Sequence, residues 1–291
     1  MLHNTYPLEI KNLVKTYSMK NGKPVEAVKD VSFHISTGEI FGLLGPNGAG
    51  KTSIISMITT LEKATQGSVN IFGVDVTLNP NFTKKQIGVV HQEIINTGFF
   101  TVSEILKFQS GYYGIRNNQE RIDYLLEKLG LKDHRQKNVK QLSGGMKRRL
   151  MIAKALVHSP KILLLDEPTA GVDVGLRESL WQFVNQLKNE GICILLTTHY
   201  LEEAEKLCAR VGVINKGKII FLGSTADAIS QYSTKKIHIE FTTGKTMTVT
   251  DSASAGLVEI LAHHKILFTD VKNIKIEEGR LEEAFSRMVN V

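Results

Sequence analysis

The chain has 291 residues, 42% hydrophobic and 22% charged, an ordinary globular composition with room for one large or two smaller domains. It has no apolar run near the roughly 18 residues of a membrane-spanning helix and no basic, then apolar, leader, so it is expected to stay in the cytosol. The net charge of +7 is uneven, with 12 Lys and Arg against 4 Asp and Glu in residues 107–160, and that block lacks the interleaved aromatics of a single-stranded nucleic-acid binder.

Residues 8–17 alternate like a strand, and 25–35 read as another. Tyr17 closes the first strand, where an aromatic either stacks on a nucleobase or packs the sheet edge. The apolar run 40–44 then enters Gly45-Pro46-Asn47-Gly48-Ala49-Gly50-Lys51-Thr52-Ser53, followed by a helix-like segment from Ile54. The spacing of Gly45 and Gly50-Lys51-Thr52 is that of a P-loop. Glycines permit the tight turn, and the backbone amides then face inward at the positive end of a helix, where they accept phosphate oxygens. Lys51 reaches the β- and γ-phosphates in such a loop, and the Thr52 hydroxyl holds Mg²⁺.

Residues 68–73 and 87–91 read as strands, the second leading to Gln92. From Thr101 the pattern turns helical: Thr101 and Glu104 form a capping-box sequence, and Ile122, Leu125, Leu126 and Leu129 repeat at helical spacing over 119–129. This insertion of some 60 residues largely coincides with the basic block. In the run Gln141-Leu142-Ser143-Gly144-Gly145-Met146-Lys147-Arg148-Arg149, Ser143 is an N-cap for a helix to Val157, a second helix start suited to anions. After Lys161, residues 162–165 form an apolar run suited to a strand buried on both faces, with Asp166 and Glu167 at its carboxyl end, where open α/β sheets bind ligands. Residues 191–198 repeat the design and end on His199. Cys193 falls in an apolar strand-like run and Cys208 in a helix-like run, and both are expected to be buried free thiols. Beyond residue 223, strands near 236–241, 246–249 and 271–276 and helices near 253–262 and 281–285 predict a small α+β unit with no chemistry of its own.

Together these motifs, in order over residues 8–223, resemble the nucleotide-binding subunit of an ATP-binding cassette (ABC) transporter. The segments 142–150 and 166–173 resemble more narrowly the YadG-like and DrrA-like ATPases of type-two ABC exporters, separate chains that pair with a membrane permease. The resemblance implies an α/β P-loop NTPase fold: a RecA-like core with an antiparallel β subdomain and a helical insertion at about 93–158, all within 1–223, plus an accessory α+β domain at 224–291. It implies ATP and Mg²⁺ as cofactors. Tyr17 would stack on adenine, and Gly45 through Ser53 would cradle the phosphates. Thr52, Asp166 and Gln92 would serve Mg²⁺, with Gln92 also sensing the attacking water. Glu167 would be the general base, and His199 would contact the γ-phosphate. Ser143, Gly144 and Gly145 would form the family's signature, which reads the γ-phosphate of ATP on a second copy, and Asp173 would lie in a loop crossing that interface. Met146 stands where the wider family has glutamine, and His91 where proline is common. The first fits the exporters, and the second alters the stiffness of the loop that faces the permease.

The implied function is ATP-driven, head-to-tail homodimerisation whose hydrolysis moves an integral-membrane permease, exporting a drug, lipid or polysaccharide-like substrate. The chain would be peripheral on the inner face of the cell membrane, and its basic surface would lie near anionic headgroups, meet acidic permease ends, or be a solvated helical face. The alternative, a soluble ABC ATPase acting on nucleic acid or the ribosome, is opposed by the lack of sustained heptads and by the single P-loop and signature. A regulatory module without turnover is opposed by the intact Asp166-Glu167 pair and His199.

Overall fold

The computed structural model describes residues 6–18, 22–93, 98–169, 174–252 and 256–290. The alternating segment forms β1 (Leu8–Tyr17), burying Leu8, Ile10 and Leu13, and β2 (Val25–Ile35) pairs antiparallel with it. β3 (Ile40–Leu44) is buried at every position and leads through the glycine loop to α1 (Lys51–Ile58). β4 (Gln66–Ile71) and β5 (Val74–Asp75) follow. The strand predicted over 68–73 is shorter at its end because Phe72 (φ 50°) and Gly73 (φ 77°) are both left-handed. They form the two-residue turn of a hairpin that pairs Ile71 with Val74.

α2 (Pro80–Gln86) is capped by the Asn79 side chain and leads into β6 (Ile87–Val90). The insertion holds α3 (Val102–Tyr112), α4 (Gln119–Lys128) and α5 (Gly144–Leu156). The capping box forms: Glu104 N–H donates to the Thr101 hydroxyl at 3.2 Å, and Thr101 N–H to the Glu104 carboxylate at 2.8 Å. β7 (Ile162–Asp166), α6 (Val174–Asn189), β8 (Cys193–Thr198), α7 (Leu201–Leu207), β9 (Arg210–Asn215) and β10 (Lys218–Ser224) complete the larger part. The tail adds α8 (Thr225–Tyr232), β11 (Thr234–Phe241), β12 (Thr246–Ser252), α9 (Leu257–His263), β13 (Val271–Glu277) and α10 (Leu281–Val289). The helix predicted from residue 253 begins here at Leu257, after Gly256, whose N–H donates to Glu259; residues 253–255 lie outside the described ones.

Among the described residues the strands form three sheets: β2-β1-β4-β5, β10-β9-β3-β8-β7-β6 and β12-β11-β13. In the second, β9, β3, β8, β7 and β6 run parallel, with β10 antiparallel at one edge. Alternate residues of β7 serve two cores. Leu163 and Leu165 join the helices of the insertion, whereas Ile162 and Leu164 join α1 and the first sheet. This two-faced burial is why the strand reads as an unbroken apolar run. The third sheet has a small core of its own, around Ile237, Ile239, Val249, Ile260 and Leu261. α8 and α10 instead pack on the larger part: Ala228, Leu281, Ala284 and Met288 lie in its core, and Leu281 N–H donates to Glu205 of α7 at 2.8 Å. Both cysteines are free and buried.

Candidate functional site

The carboxyl ends of the parallel strands bring the motifs to one edge of the second sheet. The loop after β3 turns as its glycines predict. Gly50 has φ 114°, and a Cβ there would sit 2.6 Å from the Ala27 carbonyl oxygen, so only glycine fits. A Cβ on Gly45 would be 2.4 Å from the Ile214 carbonyl oxygen. Lys51 opens α1, is almost wholly buried, and donates Nζ to the carbonyls of Gly45 (2.6 Å) and Pro46 (3.2 Å). Burial pushes its ammonium pKa down, while the nearby Glu167 and Asp166 carboxylates resist that shift. Thr52 is exposed and Ser53 partly so. The Tyr17 hydroxyl meets the Ser53 hydroxyl at 3.1 Å, which sets that aromatic ring beside the first turn of α1.

β7 and β8 pair in parallel with Asp166 opposite Thr197. Asp166 is buried and accepts the Thr197 hydroxyl proton at Oδ1. Glu167, also buried, turns out of the strand with φ 48°. Its Oε2 accepts Gln92 Nε2–H at 2.8 Å and its Oε1 lies 2.9 Å from His199 Nδ1. Two side chains singled out in separate parts of the sequence, Gln92 and His199, thus converge on one carboxylate. Lys51 faces the same pair of acids electrostatically.

Ser143 caps α5 by accepting Met146 N–H at 3.3 Å, and Ser143 and Gly144 are exposed, with Gly145 partly so. α5 packs on β6, and β6 is separated from the P-loop strand β3 by β7 and β8. That is three strand spacings, about 14 Å. The signature and the P-loop of one chain therefore sit at different places along the sheet edge. Asp173 lies outside the described residues.

The sequence reading gave no role to the buried charges of Arg148 and Glu203. Arg148, 3% exposed, donates Nε to the Pro168 carbonyl (2.9 Å) and Nη1 to those of His91 (2.5 Å) and Gln92 (3.0 Å). Its Nη2 donates to the carbonyls of Asp166 (2.8 Å) and Glu167. Its signal in the sequence is an arginine on the buried stripe of a helix, with Met151, Ile152 and Ala155 at i+3, i+4 and i+7. Glu203, fully buried on α7, accepts Trp181 Nε1–H at 3.2 Å. Burial pushes its carboxyl pKa up, against the Thr198 and Trp181 hydrogen bonds.

No group of three or more His, Cys, Asp or Glu suited to a metal occurs among the described residues. The donors present, the Thr52 hydroxyl and the Asp166 carboxylate, are the hard oxygens suited to a Mg²⁺ ion that completes its shell with phosphate and water.

The ABC transporter family profile matches residues 28–170. The linearmycin resistance ATP-binding protein LnrL of Bacillus subtilis is 34% identical over 292 residues, covering 98% of this chain and 92% of that protein. The Nod factor export ATP-binding protein I of Rhizobium etli is 40% identical over 226 residues, covering 77% of this chain and 70% of its own length. Among solved structures, a dimeric post-hydrolysis state of the ATP-binding cassette MJ0796, bound to ADP and Pi, superposes with a TM-score of 0.68. Its sequence is 26% identical, covering 75% of this chain and 98% of that one.

Proposed function

Because the chain belongs to the ABC transporter family as an ATP-binding subunit, we propose that it hydrolyses ATP at the Glu167 centre to drive a type-two export permease. The observation that carries this reading is the convergence of Gln92, Glu167 and His199 beside a P-loop lysine. The loop amides after Gly45 bind the phosphates, and Lys51 exchanges its carbonyl contacts for β- and γ-phosphate oxygens. Tyr17 stacks on the base. Thr52 and Asp166, with Gln92 nearby, would hold Mg²⁺, which neutralises charge on the phosphates. Glu167 takes the proton of the attacking water, and Gln92 Nε2–H fixes one of its oxygens. When His199 gives its Nδ1–H to Glu167, Nε2 donates to the γ-phosphate only as imidazolium, because a neutral ring carries one N–H.

The separation between Ser143 and the P-loop within one chain supports two copies arranged head to tail, each signature helix closing the other's site. Asp173 belongs to the loop proposed to cross between them. ATP then favours the closed pair, and loss of the γ-phosphate releases it. The 1–223 ATPase domain with its 93–158 insertion does this work, and 224–291 supports the pair.

A groove of about 610 Å³ near Gln92 fits the permease. Leu61, Ile87, Val89, Tyr112 and Tyr113 give it apolar walls, and Lys84 and Lys85 sit on its rim. Leu61 and Tyr112 are 70% and 89% exposed. Leu61→Glu with Tyr112→Glu is expected to reduce permease recovered by affinity purification from detergent-solubilised membranes at least tenfold, with ATPase activity of the isolated chain unchanged. Undiminished recovery would remove the groove from the interface.

No helix among the described residues is long and apolar enough to cross a membrane. Work on a permease would bring the chain to the inner face of the membrane as a peripheral subunit. Its basic face meets anionic headgroups there, at about 1 kcal/mol per exposed cation. Within that face Lys132 pairs with Glu127 (3.4 Å) and Arg135 with Asp123 (3.1 Å), which dilutes the excess. Reversing Lys132, Arg135 and Lys137 to Glu is expected to lower co-sedimentation with phosphatidylserine vesicles at least threefold at low salt. Unchanged binding assigns the face to solvent.

A further inference from the structure

A guanidinium has five N–H donors, and Arg148 spends them on five backbone carbonyls, with no ion pair among the described residues. The acceptors belong to two segments: residues 91–92 just after β6 and residues 166–168 at the end of β7. The second segment is unusual in itself. Glu167 has φ 48° immediately before a proline, a left-handed conformation that a residue with a Cβ avoids and that persists only where its surroundings hold it. That turn directs three successive carbonyls at one planar cation. The same cation holds the Gln92 carbonyl, while the Gln92 side chain holds the Glu167 carboxylate. One side chain therefore fixes both ends of the Gln92–Glu167 pair, and it projects from the second turn of the helix that Ser143 caps.

We propose that Arg148 is a positioning residue for hydrolysis, setting the Glu167 carboxylate from the signature helix, so that docking of Ser143 on a second copy's nucleotide adjusts the base in this copy's own site. The proposal rests on the two-copy reading above. Lysine cannot replace this arginine, because an ammonium has three donors at one point and cannot span two segments.

The test uses the full chain with Arg148→Lys and Arg148→Met, and measures steady-state ATPase activity, the Hill coefficient for ATP, and equilibrium binding of a fluorescent ATP analogue. The expected result is a kcat at least tenfold lower in both variants, analogue affinity within twofold of the parent, and a Hill coefficient falling from above 1 towards 1. Glu167→Gln with Arg148→Lys should still dimerise in ATP on gel filtration. The Hill coefficient is the readout that simple packing would not move. An unchanged kcat, a Hill coefficient that does not fall, or affinity lost in step with kcat overturns the proposal. Where the methionine variant does not fold, the lysine variant decides. Glu167→Gln with Arg148 intact that stays monomeric in ATP overturns the two-copy reading itself, and this proposal with it.

Discussion

Glu167→Gln is expected to lower kcat for ATP hydrolysis by about 10³-fold, within the range for loss of a general base, and to leave a stable ATP-bound dimer on gel filtration. The change is nearly isosteric in a buried position, so the left-handed turn before Pro168 and its contacts with Arg148 persist. An amide oxygen still accepts Gln92 Nε2–H, but the group no longer takes a proton from water. Nucleotide therefore binds and closes the pair, and the step that would open it does not occur. Turnover equal to that of the parent would remove Glu167 from the role of base.

Lys51→Ala is expected to reduce turnover to background and to weaken ATP binding at least tenfold, read by equilibrium binding of a fluorescent analogue. Lys51 is the cation facing Asp166 and Glu167, and it is held at the loop by the Gly45 and Pro46 carbonyls. Without it, the buried acids repel an incoming triphosphate in a site where the effective dielectric is low. Lys51→Met keeps most of the buried stem and removes only the charge, so it separates packing from electrostatics. The same loss in both variants assigns the effect to the ammonium, and full binding by Lys51→Met would exclude it.

The turns and caps were legible because adjacent residues carry them. The left-handed glycines of the P-loop, the Ser143 cap and the Thr101–Glu104 box each follow from side chains within a few positions. The run 162–165 announced a strand buried on both faces, as β7 is. The strand predicted through Phe72 and Gly73 failed at its end because an apolar side chain in a left-handed turn gives no local warning. α6 carries no motif and drew no reading, and α7 was read only as a helix-like run at Cys208, although α7 places the buried Glu203 against Trp181 of α6. Arg148 was visible only as one cation among three, since nothing local says that its partners lie 18 to 57 residues away.

By itself the sequence determined where glycine-rich turns open helices, at Gly45–Lys51 and at Ser143, because such turns are made by the dihedrals of contiguous residues. It determined the family as well, since the motifs occur in fixed order. Only the tertiary structure decided that Gln92, 75 residues from Glu167, shares that carboxylate with His199, and that one guanidinium holds both strand ends. The reason is sheet order. Local periodicity fixes which face a strand buries but not which strand lies beside it, and the parallel pairing of β6, β7 and β8 is what brings their carboxyl ends into register.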